Sequence, residues 1–201
     1  MKILIENTVQ VYNKKGEKDE GNIMRIDLTI TDITAEQLFI LYSDNETRLK
    51  MDHAPKVLKT VEQLTKCSDI TYSELHLPFP MSNREFLHKR LFVGNKESPD
   101  VIKEFGLYDW DHKYYVLIEE SIERPDIPVK SSPVRAETKF SYNLIQEDPN
   151  DSGVVKIRTV SCTKMNGYIP TALFSSMGSQ IAAHMIDGLK DGSKKIFGGG
   201  K

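Results

Sequence analysis

The feature that most constrains the fold is a run of strand-like segments joined in series by turn signals. Residues 57–64, 69–77, 84–93, 114–122, 134–145 and 154–163 each read as a strand. Pro78 and Pro80, Gly94, the loop with Pro125, Pro128 and Pro133, and Pro149-Asn150-Asp151-Ser152-Gly153 separate them. Strands that follow one another through turns pair antiparallel, because parallel neighbours need a long crossover that is usually a helix. The chain therefore predicts an α+β protein built on an antiparallel sheet, not a doubly wound α/β fold. Two earlier strands, 3–12 and 23–30, flank a charged turn. In the second, Met24, Ile26, Leu28 and Ile30 alternate with Arg25, Asp27 and Thr29, which sends one face inward and the other to solvent.

Helical signals are few and local. Thr34 is placed to cap the amide of Gln37, and Leu38, Phe39, Leu41 and Tyr42 follow at helical spacing. Residues 44–52 read as a further helical turn. The interval 94–113 is long for a hairpin connection. Ser98 as N-cap, Pro99 in the first turn and Gly106 after the last turn predict a short helix inside it. The clearest helix starts at Pro170 and runs to Lys190, with Leu173, Met177, Ile181, Met185 and Leu189 recurring every four residues and Phe174 and Ile186 widening the stripe.

Composition narrows the function. The 201 residues are expected to form one domain over 1–197, with 198–201 as a disordered tail. A net charge of −2 lacks the basic field that nucleic-acid binding requires and the polybasic stretch of a membrane anchor. Cys67 and Cys162 have no metal-ligand spacing and read as free thiols. No export signal or membrane-spanning run is visible, so a cytoplasmic location is expected. The five histidines, His53, His76, His88, His112 and His184, show no paired spacing for a metal and each reads as a surface or satisfied core residue. There is no nucleophile elbow, glycine-rich phosphate loop or C-x-x-C. No enzyme activity, metal or cofactor is predicted.

Two features stand out. Arg48 and Asp52 are four residues apart just after the first helix. Exposed, such a pair is worth about 0.3–0.5 kcal/mol. Buried, it must offset a desolvation penalty of several kcal/mol per ion, and the guanidinium keeps spare donors for a phosphate oxygen. The second feature is the segment PFPMSNREF, residues 78–86, with Arg90 beyond it.

These residues resemble the START family of lipid-transfer domains. PFPMSNREF with Arg90 resembles the family's P-x-P-(L/M)-S-N-R-D-(F/Y) strand motif, and Arg48-Leu49-Lys50-Met51-Asp52 resembles its R-x-x-W-D turn. Ser121, the proline loop and Pro133-Val134-Arg135-Ala136 resemble its S…P…V-R-(A/V) stretch, and Gly167-Tyr168-Ile169-Pro170 its G-x-I-P. The likeness runs from about Ile3 to Phe197. It implies a helix-grip fold, a curved antiparallel sheet around a tunnel for one lipid, lidded by the last helix through Leu173, Met177, Ile181 and Met185. The family's N-terminal helix is not expected in this sequence, which reads as opening on the first strand.

Within the family the likeness is greatest to the phosphatidylcholine-transfer type, in which the turn arginine contacts the lipid phosphate and the aspartate braces it. Arg48 and Asp52 match those roles. Met51 stands where the family has tryptophan, and Glu85 where it has aspartate. Positions aligned with the aromatic choline cage are Ser73, Phe86 and Lys139, so one ring survives. The implied ligand is a phospholipid other than a choline lipid, with an anionic head group favoured if Lys139 points inward beside Arg48. The strand leaves both directions open for Lys139, since one register step flips every side chain and Val134, Ala136, Thr138 and Phe140 form the more apolar face. In the family, the loop corresponding to 94–113 gates the tunnel. Here it carries Phe105, Tyr108 and Trp110, either as a membrane-dipping tip or as a packed satellite core. The resemblance thus implies a monomer that moves one lipid between membranes through transient contact and without chemistry. The alternatives are a lipid-sensing module, or a steroid- or polyketide-type binder or enzyme on the same scaffold.

Overall fold

The computed structural model describes residues 10–14, 21–31, 33–51, 55–77, 79–94, 114–169, 183 and 186–189. Its strands are β1 (Gln10–Lys14), β2 (Asn22–Thr31), β3 (Pro55–Thr65), β4 (Ser68–Leu75), β5 (Arg84–Gly94), β6 (Tyr114–Ser121), β7 (Val134–Arg135), β8 (Glu137–Asp148) and β9 (Asp151–Lys164). They form one curved sheet in the order β1-β2-β9-β8-β6-β5-β4-β3, antiparallel throughout, with the short β7 added parallel to the start of β5. This is the antiparallel sheet that the serial strand pattern predicted, in the helix-grip arrangement that the resemblance implied. The segment 134–145, read from sequence as one strand, is two. Ala136 leaves the β8 line and donates its amide to the Glu85 carbonyl at 2.9 Å, which binds β7 to β5.

Between β2 and β3 lie the helices α1 (Ala35–Ser43) and α2 (Asn45–Met51). Thr34 caps α1 as expected: its hydroxyl accepts from the Gln37 amide at 3.1 Å while the Gln37 side chain accepts from the Thr34 amide. Leu38, Leu41 and Tyr42 of α1 are buried against Ile26, Leu28 and Ile30 of β2, Leu117 of β6, Ile145 of β8, and Val155 and Ile157 of β9. Phe39 stacks on Tyr115 with ring centroids 4.6 Å apart and meets Phe92 edge-on. Ala183 and residues 186–189 are helical. Leu189 is buried in the same core with Ile186 against it, while Ala183 and Asp187 are exposed, the sidedness the four-residue period gave for this helix.

Apolar packing thus fills one part of the concave face, and each fully buried aliphatic side chain there contributes about 1.5–3 kcal/mol. The rest of that face is polar. Thr71 and Ser73 of β4, His88 and Arg90 of β5, Glu119 of β6, Ser141 and Asn143 of β8, and Thr159 of β9 share it by the strand registers. A sheet face with that much polarity must satisfy it internally or present it to a ligand.

Candidate functional site

The motif 78–86 proves to be mostly architectural. Arg84 is fully buried and donates from Nε to the Met165 carbonyl at 2.7 Å, from Nη2 to the carbonyls of Asn166 and Tyr168, and from Nη1 to that of Ser82. It ties the start of β5 to the loop that follows β9. Gly167 in that loop has φ +63°, and a side chain there would meet Arg84 Nη2 at 3.2 Å. Glu85 accepts from the Tyr72 hydroxyl at 2.9 Å and from Arg135 Nε at 2.8 Å. Burial and the bond to Glu85 push the Tyr72 phenol up to about 12. Asn83 bridges the Leu77 amide and the Glu74 carboxylate, and its carbonyl receives the Val134 amide. The S-N-R-E string and the V-R-A string are two halves of one clasp. Of the motif's last four residues, 83–86, Phe86 is the one that reaches the cavity.

A cavity of about 180 Å³ opens in the polar part of the concave face, lined by Arg48 of α2, Pro55 and Leu58 of β3, Thr71, Ser73, Glu74 and Leu75 of β4, Phe86 and His88 of β5, and Glu119 of β6. That volume is on the scale of a small polar head group and not of a whole lipid. Three residues singled out in the sequence, Arg48, Ser73 and Phe86, meet here, and Ser73 and Phe86 are directly opposed across the β4–β5 ladder. Arg48 is held in place by α2. Asp44 caps that helix by accepting from the Thr47 amide at 3.0 Å, and Asn45 anchors it to β3 through Thr60 at 2.8 Å.

Lys139 takes the outward alternative. Thr138 pairs with Thr163 and Phe140 with Cys162, so Lys139 is the extra residue of a β-bulge and is exposed. The inward position goes to Thr138, whose Oγ1 lies 3.1 Å from His88 Nε2. The bulge also changes the phase beyond it. Phe140 is 42% exposed, and Ser141 and Asn143 turn inward. Asp52, Leu173, Met177, Ile181, Met185, Phe105, Tyr108 and Trp110 lie outside the described residues.

The structure adds Glu119 and Asp69 to the residues that the sequence marks out. Glu119 Oε1 is 3.8 Å from Arg48 Nη1, with the two side chains 11% and 26% exposed. Asp69 takes Arg90 in a two-pronged pair at 2.8 and 2.6 Å, both nearly fully buried, while Arg90 Nη1 is buried without a hydrogen-bond partner and its guanidinium sits 4.9 Å over the Phe92 ring. His88 is a cavity wall, not a surface residue. Burial holds its imidazole below the usual range, with Glu119 opposing that shift and Arg48 and Arg90 adding to it. One signal for Asp69 was available: it is in phase with Ser73, and Arg90 is in phase with Phe86, so a hairpin that opposes Ser73 and Phe86 also opposes Asp69 and Arg90.

The matching comparisons agree with this geometry. Residues 2–195 match the START domain family model, and the chain belongs to that family, whose members are lipid-binding domains and generally not enzymes. Among solved structures, human StAR-related lipid transfer protein 5 superposes with a TM-score of 0.76 at 16% identity, covering 98% of this chain and 87% of that one. Human STARD10 gives 0.74 at 19% identity over 96% and 74%. The lipid transfer and protein localization domain of human StarD13 (DLC2) gives 0.68 at 17% identity over 94% and 86%. At these identities the superpositions establish a shared fold. A comparison with curated proteins gives no match. Among the described residues no helix is long and apolar enough to cross a membrane.

Proposed function

We propose that this protein binds one phospholipid with its head group in the Arg48 cavity and carries it between membranes without covalent chemistry. The observation that carries the reading is the state of Arg48. Arg48 lines the cavity, its side chain is about a quarter exposed, and among the described residues its ion-pair contact is a loose one to Glu119 at 3.8 Å, which leaves donors of the guanidinium for a phosphate. A guanidinium with that reach suits a phosphodiester better than it suits a sterol, which offers a single hydroxyl. Moving a lipid from bilayer to protein exchanges one apolar surrounding for another, so binding and release need no bond to break. The protein works as a monomer in the cytoplasm, touching membranes transiently.

Transfer of labelled phospholipid between donor and acceptor vesicles tests this reading. Wild type is expected to transfer, and Arg48→Leu to lose about tenfold or more in rate, the equivalent of one charge-assisted hydrogen bond, with an unchanged denaturation midpoint. Normal transfer by a folded Arg48→Leu protein rejects the phosphate clamp.

A further inference from the structure

The charges around the cavity do not suit an anionic ligand. Its described lining offers one guanidinium, Arg48, and two carboxylates, Glu119 beside it and Glu74. The neighbouring Arg90 and Asp69 neutralise each other, the Glu74 carboxylate is engaged by the Asn83 amide at 2.9 Å, and Lys139 is exposed at its bulge. A phosphate brought to Arg48 therefore comes to rest near the Glu119 carboxylate, in a wall where both side chains are largely withdrawn from water. A head group of net negative charge leaves that like-charge contact uncompensated. A head group with its own cation a few bonds from the phosphate replaces one loose ion pair with two.

We infer that Glu119 is a specificity-determining residue: its carboxylate receives the primary ammonium of a zwitterionic phospholipid head group whose phosphate is held by Arg48, and it excludes head groups of net negative charge. The inference rests on the phospholipid reading above. A primary ammonium is favoured over a quaternary one by the donors it carries. Its N–H groups are donors that a carboxylate such as Glu119 accepts, and the lining also carries the hydroxyl oxygens of Thr71 and Ser73. A quaternary ammonium has no N–H and is held by aromatic faces. Among the described lining residues Phe86 is the one benzene ring, with the His88 imidazole tilted against it at 5.4 Å. The volume of about 180 Å³ is on the scale of an aminoethyl phosphate.

The test incubates the purified protein with vesicles holding equal amounts of phosphatidylethanolamine, phosphatidylcholine and phosphatidylglycerol, re-isolates it, and counts bound lipids by native mass spectrometry. Wild type is expected to carry phosphatidylethanolamine over phosphatidylglycerol by about tenfold or more. Glu119→Gln is expected to bring that ratio close to the vesicle composition, and Glu119→Asp to keep it. Wild-type preference for the glycerol or choline lipid overturns the inference without need of a variant, as does an unchanged ratio in Glu119→Gln. Phospholipid bound at the vesicle ratio by wild type leaves the proposed function standing and removes only the role of Glu119. If wild type binds no phospholipid from these vesicles or from vesicles of the separate lipids, the proposed function and this inference both fall.

Discussion

Asp69 and Arg90 face each other across the β4–β5 hairpin, Nη2 to Oδ2 at 2.6 Å and Nε to Oδ1 at 2.8 Å, with both side chains nearly sealed from water. Such a pair adds little net stability over an apolar replacement, because desolvation of two ions offsets most of their attraction. Removing one partner is different, since a buried charge is then left alone. Asp69→Asn is expected to lose about 3–5 kcal/mol in urea denaturation, and the double replacement Asp69→Leu with Arg90→Met to lose much less. Equal losses in the single and double variants would show that shape and not charge matters at this pair.

The His88 imidazole is held below its ordinary pKa mainly by burial, with Glu119 opposing and Arg48 and Arg90 assisting the shift. The unfolded chain therefore takes up a proton at higher pH than the folded one. The His88 contribution to stability is complete above the unfolded value of about 6.5 and falls away as pH drops toward the folded value. Denaturation midpoints taken between about pH 7.5 and 5.5 are expected to decline in wild type and to decline less in His88→Gln. Parallel declines would assign the acid sensitivity to other groups.

Gly167 adopts φ +63° within 3.2 Å of the Arg84 guanidinium, measured from where a Cβ would stand. Gly167→Ala adds the left-handed backbone cost and presses on the clasp that joins β5 to the loop after β9. A loss of about 1–3 kcal/mol is expected, read as a lower thermal midpoint. A neutral result would mean that Arg84 does not need that close approach.

Tyr72 titrates late because it is partly buried and donates to Glu85. In an ultraviolet pH titration the Tyr72 phenol of the folded protein is expected to resist ionisation until about pH 12. Its folded pKa is raised, so its stabilisation is complete below the unfolded value of about 10 and is lost as pH rises through the folded one. Tyr72→Phe should remove the late step. If the late step persists in that variant, another tyrosine carries it.

Some of this was legible in the chain itself. The alternation of Met24, Ile26, Leu28 and Ile30 fixes the inner face of β2, Thr34 and Gln37 write the start of α1, and the turn residues separate strands that then pair antiparallel. The family resemblance pointed to Arg48, Ser73 and Phe86, three of the residues that meet in the cavity. Their relatives in the same strings, Asn83, Arg84, Glu85 and Arg135, look equally functional in sequence. They turn out to clasp the ends of strands together.

What sequence alone determined was local: period, capping and turn chemistry are properties of neighbouring residues, and they dictate which segments are strands or helices. The convergence of Arg48, His88 and Glu119 was decided only in three dimensions, because each arrives on a different element and their meeting depends on strand order and register. Lys139 shows the reason most plainly. One extra residue in β8 sends Thr138 inward, leaves Lys139 exposed and resets the phase of the strand. No periodicity in the strand announces a bulge, because the bulge is set by the hydrogen bonds of β9 beside it. With that single insertion the cavity keeps Arg48 as the cation of its described lining, and Glu119 becomes the charge that answers it.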